Sequence, residues 1–352
     1  MEHKPLVSVI IVFYNMSREA PRTLFSLSVS YQQHVNPADY EVIALDCTSV
    51  LPLTNEQMHE YGTNFRLIKT DSSPSPASAI NTAARQARGR YLTICIDGAR
   101  LWSPGIMTET LSVLESNPDT VIATPSFHIG HETQNVAMTK GYNQETEDII
   151  LEKSGWETDG YQLFSIACPD GSSANGWFLP LHESNCLTVS KNLFEKAGGF
   201  DERFSSPGGG LANLDFFKKI CEEKGEIYIL AGEGTFHQFH GGVTTNIPPE
   251  QHPWEIFHRE YVALTGREYS PPEYRAVFRG TIRRESAWML QYSYDKVADR
   301  LKEMGVRLEE AQKTITRMSD RRSDIRVRYV QPVLSRVRNS PFLSLIRSLI
   351  SK

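Results

Sequence analysis

Two apolar, β-branched runs in the first third of the chain each stop at an aspartate. YEVIALD ends at Asp46 and YLTICID ends at Asp97. A run of this kind, without polar alternation, is how a strand buried on both faces of a parallel sheet reads. In open α/β sheets, ligands collect beyond the carboxyl ends of the strands. Two carboxylates at two such ends predict one site, suited to a polar, hydroxyl-rich, phosphate-bearing ligand.

The flanking sequence repeats the strand and helix signals. VSVIIVFYN (7–15) reads as a buried strand, 18–34 as a helix, 54–61 as a second helix and 65–70 as a short strand. Ser75 and Pro76 read as the cap and first position of a helix that ends at Gly89. Another helix starts at Pro104, before a strand at 120–123. This β-α-β-α order predicts a mostly parallel, doubly wound α/β sheet. Residues 125–180 show little periodicity and are rich in Gly, Asn, Thr, Asp and aromatics. A long irregular stretch inside a compact domain predicts a lid or binding loop. A strand at 186–190, a glycine-rich stretch at 206–210, a helix at 212–224 and a strand at 226–230 follow.

At 352 residues and 40% hydrophobic, the chain can bury a sizeable core. Its net charge of −5 argues against nucleic acid as a partner, but residues 320–352 carry eight Lys/Arg and only two Asp. A basic tail on an acidic body predicts a separate partner for the tail. The five cysteines are scattered and form no CxxC, so they read as reduced core thiols, neither a disulfide frame nor a zinc site. MEHKPL runs straight into the first strand, and no apolar run is long enough to span a bilayer. A cytoplasmic protein without a signal peptide is the expectation.

Past residue 250 the chain reads as helical. Leu290, Tyr294, Val297, Leu301, Met304, Leu308, Ala311, Ile315 and Met318 are spaced alternately by four and three, which is a heptad seam. It predicts a homodimer through 290–318. Beyond it lie two apolar stripes, Val330/Val333/Leu334/Val337 and Phe342/Leu345/Ile346/Leu349, beside Arg336, Arg338, Arg347 and Lys352. Such segments suit an anionic membrane surface, here the inner face of the cell membrane. The expected division is a main domain over 1–250, a helical linker region over 251–289, a coiled-coil-like helix over 290–320 and a basic amphipathic tail over 321–352.

The order of motifs is informative as a set. VSVIIVFYN, the Asp46 strand end, ASAINTAARQARGRY (77–91), ICIDGA, GGFDERF (198–204) and FHQFHGG (236–242) together resemble the family-2 glycosyltransferases of GT-A fold, over roughly residues 6–246. The resemblance implies transfer of a sugar from a nucleotide-sugar, a UDP-sugar first, to a glycan or lipid-linked acceptor in polysaccharide biosynthesis, with inversion. It places Asp46 on the nucleotide base, Asn81 near the donor, and Asp97 at the first aspartate of the DxD motif, which holds a divalent metal on the diphosphate. Ala99 stands where the second aspartate belongs. Mn or Mg dependence is therefore expected to be weak, with His237 and His240 completing the shell. The family's acidic pair after the glycine-rich loop is Ala212 and Asn213 here. An inverting transfer needs a base near the acceptor hydroxyl, and Glu183 and Asp215 are the candidates. These departures support an alternative, a glycosyltransferase-like binding or scaffold protein without catalysis. A dinucleotide oxidoreductase is excluded because FYNMSRE follows the first strand in place of G-x-G-x-x-G.

Overall fold

The computed structural model describes residues 4–70 and 75–325. It divides into two units, Met1–Tyr294 and Asp295–Lys352. Twelve strands are described: β1 (Val7–Phe13), β2 (Tyr40–Asp46), β3 (Phe65–Lys69), β4 (Tyr91–Cys95), β5 (Arg100–Trp102), β6 (Ile122–Ala123), β7 (Ser126–Ile129), β8 (Ala167–Pro169), β9 (Leu187–Ser190), β10 (Glu226–Leu230), β11 (Thr235–His237) and β12 (Arg275–Arg279). The α-helices are α1 (Ala20–Ser26), α2 (Asn55–Tyr61), α3 (Ala77–Gln86), α4 (Ile106–Ser116), α5 (Gln134–Ala137), α6 (Gln144–Ser154), α7 (Lys191–Lys196), α8 (Ala212–Lys224), α9 (Trp254–Thr265) and α10 (Trp288–Ile325).

The fold is mixed α/β with a central, mostly parallel sheet in the order β12-β10-β6-β9-β4-β1-β2-β3. Only β9 runs against its neighbours, β4 and β6. Every residue of β1 and of β2 is buried, because helices cover both faces. Ile10, Val12, Ile43 and Leu45 pack with α3 and α8, while Val9, Ile11, Val42 and Ala44 pack with α1 and α4. The period-2 alternation of a strand thus feeds two cores, and the run reads as continuously apolar.

Three sequence expectations change. The helix expected over 18–34 ends at Ser26. Ser26 and Ser28 turn their hydroxyls onto the carbonyls of Thr23 and Phe25, competing with the helical ladder. Residues 125–180 are not irregular. They hold β7, β8, α5 and α6, and a smaller sheet forms in the order β5-β11-β7-β8. Its core includes Trp156, Leu163, Phe164 and Trp177. Short elements supplied these apolar residues, so no period was visible. Finally, 251–289 holds a strand beside the helix α9, because β12 pairs with β10 in the main sheet.

The start of α10 belongs to the first unit. Met289 is buried, Trp288 Nε1 donates to the Phe164 carbonyl (3.0 Å), and Ser293 Oγ accepts from Trp177 N–H (2.8 Å). Of the seam, Leu301, Met304 and Leu308 are exposed at 62, 57 and 66%. The side chains of Ile315 and Met318, and the tail from 326 on, lie outside the described residues. Among the described residues no helix is long and apolar enough to cross a membrane.

Glu233, just before β11, is buried where the smaller sheet meets α4. Its carboxylate accepts from Tyr161 Oη (2.8 Å), Ser103 Oγ (2.5 Å) and the Gly105 N–H (3.1 Å). Burial outweighs these bonds and pushes its carboxyl up to about 7. A group whose affinity for the proton rises on folding stabilises the fold below its unfolded pKa, and that contribution is lost as pH rises through 7. Glu233→Gln removes the titration. Relative to wild type, the variant should gain about 2 kcal/mol between pH 5 and pH 8. Urea unfolding at several pH values checks this, and parallel stability curves would count against it.

Candidate active site

Asp97 follows β4 at the carboxyl edge of the main sheet. The turn that carries it requires Gly98, since a Cβ there would lie 2.4 Å from the Val12 carbonyl oxygen. Asp97 Oδ1 accepts the Ala99 N–H at 3.0 Å. The chain then enters β5, which runs antiparallel to β11 with Arg100 opposite His237. This pairing brings His237 Nε2 to 2.9 Å from Asp97 Oδ2. His240 Nε2 lies 3.7 Å from Asp97 Oδ1 and 3.2 Å from His237 Nε2. One carboxylate oxygen and two imidazole nitrogens fall within 4.8 Å of one another. That mixed donor set fits a divalent ion such as Mn²⁺. Burial holds His237 down to about 3, so its imidazole is neutral at neutral pH. Burial alone would raise Asp97, but the facing histidines and Arg100 hold it well below the usual carboxylate range.

Asp97 and His240 open onto a cleft of about 930 Å³. Glu183 lines the same cleft, in the segment before β9. Its Oε1 accepts from Asn213 Nδ2 on α8. Burial raises its proton affinity above that of an ordinary glutamate, with Asp170 adding to the effect. Arg100 is the only Lys or Arg among the described lining residues, and it is already engaged. Its Nε is 3.6 Å from Asp97 Oδ2, its Nη1 is 3.7 Å from Asp170 Oδ2, and Nη1 also donates to Ser126 Oγ. Pro207, Gly208 and Gly210 form part of the rim, and Gly208 to Gly210 all have φ between 52° and 89°. Side chains with a Cβ rarely adopt that backbone, which explains three glycines in succession.

The comparisons with known proteins bear on the same region. Residues 8–175 match the sequence model of glycosyl transferase family 2. A crystal structure of S. aureus TarS 1-349 in complex with UDP is 13% identical, at a TM-score of 0.46 over 83% of this chain and 70% of that one. TarS 1-349 in complex with UDP-GlcNAc is 14% identical, at a TM-score of 0.45 over 83% and 71%. Another crystal structure of TarS 1-349 is 14% identical at a TM-score of 0.43. That match takes in 66% of this chain and 60% of the TarS chain, less than two thirds of its length. No curated protein matches the sequence significantly.

The residues singled out by sequence separate into two groups. Asp97, His240 and Glu183 face the cleft, and His237 stands behind Asp97. The others are turned elsewhere. Both oxygens of Asp46 are taken by its own loop, Oδ1 by the Ser49 N–H (3.0 Å) and Oδ2 by the Leu53 N–H (2.8 Å). Asn81 clamps GGFDERF, receiving the Phe200 N–H (2.9 Å) while its Nδ2 donates to the Phe200 carbonyl and to Glu202 (2.9 Å each). Asp215 is buried on α8 and pairs with Lys219 at 2.7 Å, outside the cleft lining. Sequence reasoning missed Arg100, Asp170, Gln134 and Asn246. Arg100 had one signal, since it follows Asp97-Gly98-Ala99 directly.

Proposed function

We propose that this protein transfers a glycosyl group, with inversion, from a nucleotide-sugar (a UDP-sugar first) to a hydroxyl of a glycan or lipid-linked acceptor. The observation that carries the reading is Glu183, a carboxylate of raised proton affinity in the same cleft as the metal-competent Asp97 and His240. Glu183 takes the proton of the acceptor hydroxyl while that oxygen bonds to the anomeric carbon. The bond from that carbon to the diphosphate oxygen breaks, and the nucleoside diphosphate leaves with the electron pair. Asp97, His237 and His240 would hold a divalent ion, Mn or Mg, which would supply positive charge at the diphosphate. Asn213 fixes the rotamer of Glu183, so the amide at the family's acidic position serves the base from a distance of one side chain. Asp46 and Asn81 act on the site by shaping its loops.

The competing reading, binding without catalysis, draws on Ala212 and Asn213 at the acidic pair. Donor hydrolysis by purified protein with Mn²⁺ decides between them. Release of UDP supports the transferase. Tight UDP binding with no release from any UDP-sugar tested supports the scaffold.

The exposed seam of the second unit supports self-association, and the basic tail supports recruitment to an anionic membrane surface. A chain ending at Tyr294 preserves the buried contacts of Met289 and Ser293. It should be monomeric by light scattering and free of anionic liposomes, whereas the full chain should be dimeric and liposome-bound at low salt. A monomeric full chain that ignores liposomes would end this part of the reading.

A further inference from the structure

Gln134, the first residue of α5, is wholly buried and lies behind the cleft. The orientation of its amide follows from neighbours whose chemistry leaves no choice. Asn246 Oδ1 receives three consecutive backbone N–H groups, from His240 (2.9 Å), Gly241 (2.9 Å) and Gly242 (3.1 Å). Backbone N–H groups only donate, so this end of Asn246 is its oxygen and the other is its NH₂. That NH₂ lies 2.9 Å from Gln134 Oε1, which must therefore be an acceptor. The opposite end of Gln134 agrees, since its Nε2 donates to the His237 carbonyl (2.8 Å) and to Glu147 Oε2 (3.2 Å).

His237 Nδ1 faces the same Gln134 oxygen at 2.8 Å, so Nδ1 carries the proton. A neutral imidazole has one N–H, which leaves a lone pair on Nε2. That lone pair looks at Asp97 Oδ2 (2.9 Å) and His240 Nε2 (3.2 Å). The Nε2 lone pair and the Asp97 carboxylate oxygen repel at 2.9 Å unless a cation sits between them. Glu147 braces the assembly by accepting the Phe239 N–H (2.8 Å) between the two histidines.

We infer that Gln134 is a positioning residue that fixes His237 as its Nδ1–H tautomer and thereby turns Nε2 into a cation ligand. The hydrogen bond to one ring nitrogen of a ligand histidine sets which nitrogen is free for the ion. The inference rests on the metal reading above and adds a residue from the 125–180 segment, which touches neither donor nor base. Without the Gln134 oxygen, His237 is free to place its proton on Nε2 and bond Asp97 directly, which blocks the ion.

The test uses the full chain labelled with ¹⁵N-histidine. Long-range ¹H–¹⁵N correlation spectra of the metal-free wild type at pH 8 should show His237 protonated at Nδ1 and bare at Nε2. A wild type protonated at Nε2 overturns the inference before any variant is made. Gln134→Met keeps the size and removes the acceptor. It should shift His237 toward the Nε2–H form and weaken Mn²⁺ binding, followed by the spin resonance of free Mn²⁺, roughly 10- to 100-fold. A purely structural role would lower the melting temperature and leave tautomer and Mn²⁺ affinity of the folded variant unchanged, which overturns the inference and spares the metal reading. A wild type that takes up no Mn²⁺ overturns the metal reading and the ligand half of the inference together.

Discussion

Glu183→Gln should lower turnover by ~10²–10⁴-fold while donor affinity, measured by calorimetry with UDP, stays within error. The amide keeps the shape of the side chain and can still accept from Asn213 through its oxygen. What it loses is the capacity to take a proton. Asp215→Asn is the internal control, because Asp215 pairs with Lys219 outside the cleft lining. That variant should keep near wild-type turnover. The pH profile adds a second readout. A base works when deprotonated, so rate falls as pH falls through its pKa. Burial places the Glu183 carboxyl above the ordinary glutamate range, so the acid limb of kcat/KM should lie there and vanish in the variant. Wild-type turnover in Glu183→Gln would remove the mechanism. Loss of turnover in Asp215→Asn alone would move the base to α8.

The pieces of this site differed in how far they could be read beforehand. The strands ending near Asp46 and Asp97 were legible because burial on both faces leaves an unbroken apolar run. The direction of a side chain past the strand end carries no period. Asp97 turns into the cleft and meets His237, whereas Asp46 turns back onto the Ser49 and Leu53 N–H groups. A local signal for the second outcome existed, since an Asp entering a loop readily accepts nearby backbone N–H groups. The encounter of Asp97 with His237 depends on β5 pairing with β11, and both are three residues long. Strands that short show no alternation to read. Gln134 and Asn246 were further out of reach, because they act on each other across 112 positions from segments without periodicity.

Removing divalent metal should abolish transfer, contrary to the weak dependence that Ala99 alone implies. Ala99 is fully buried in the core beside Phe13 and Trp102, so its side chain points away from the ligand space. We propose that His237 at the end of β11 and His240 in the loop after it, both beside Asp97, take the place of the missing aspartate. The charge balance of the cleft leads to the same expectation. A nucleoside diphosphate needs positive charge as its bond to the sugar breaks, and Arg100 is the only Lys or Arg that the described lining offers. Arg100 is held between Asp97 and Asp170, whose carboxylates already neutralise it. Without an ion, the leaving group would meet Asp97, Asp170 and Glu183 with no uncommitted guanidinium or ammonium among those residues. Charge stabilisation by an ion at a phosphoryl oxygen amounts to several kcal/mol, and about 4 kcal/mol is a factor of ~10³ in rate. Exhaustive dialysis against EDTA should therefore reduce turnover by at least about that factor, and Mn²⁺ should restore it. Asp97→Asn, which keeps the size but removes the charge, should require far higher Mn²⁺ for the same rate. Undiminished turnover in EDTA would mean that the diphosphate is stabilised by groups outside this cluster, and the pairing of Asp97 with the two histidines would then be structural.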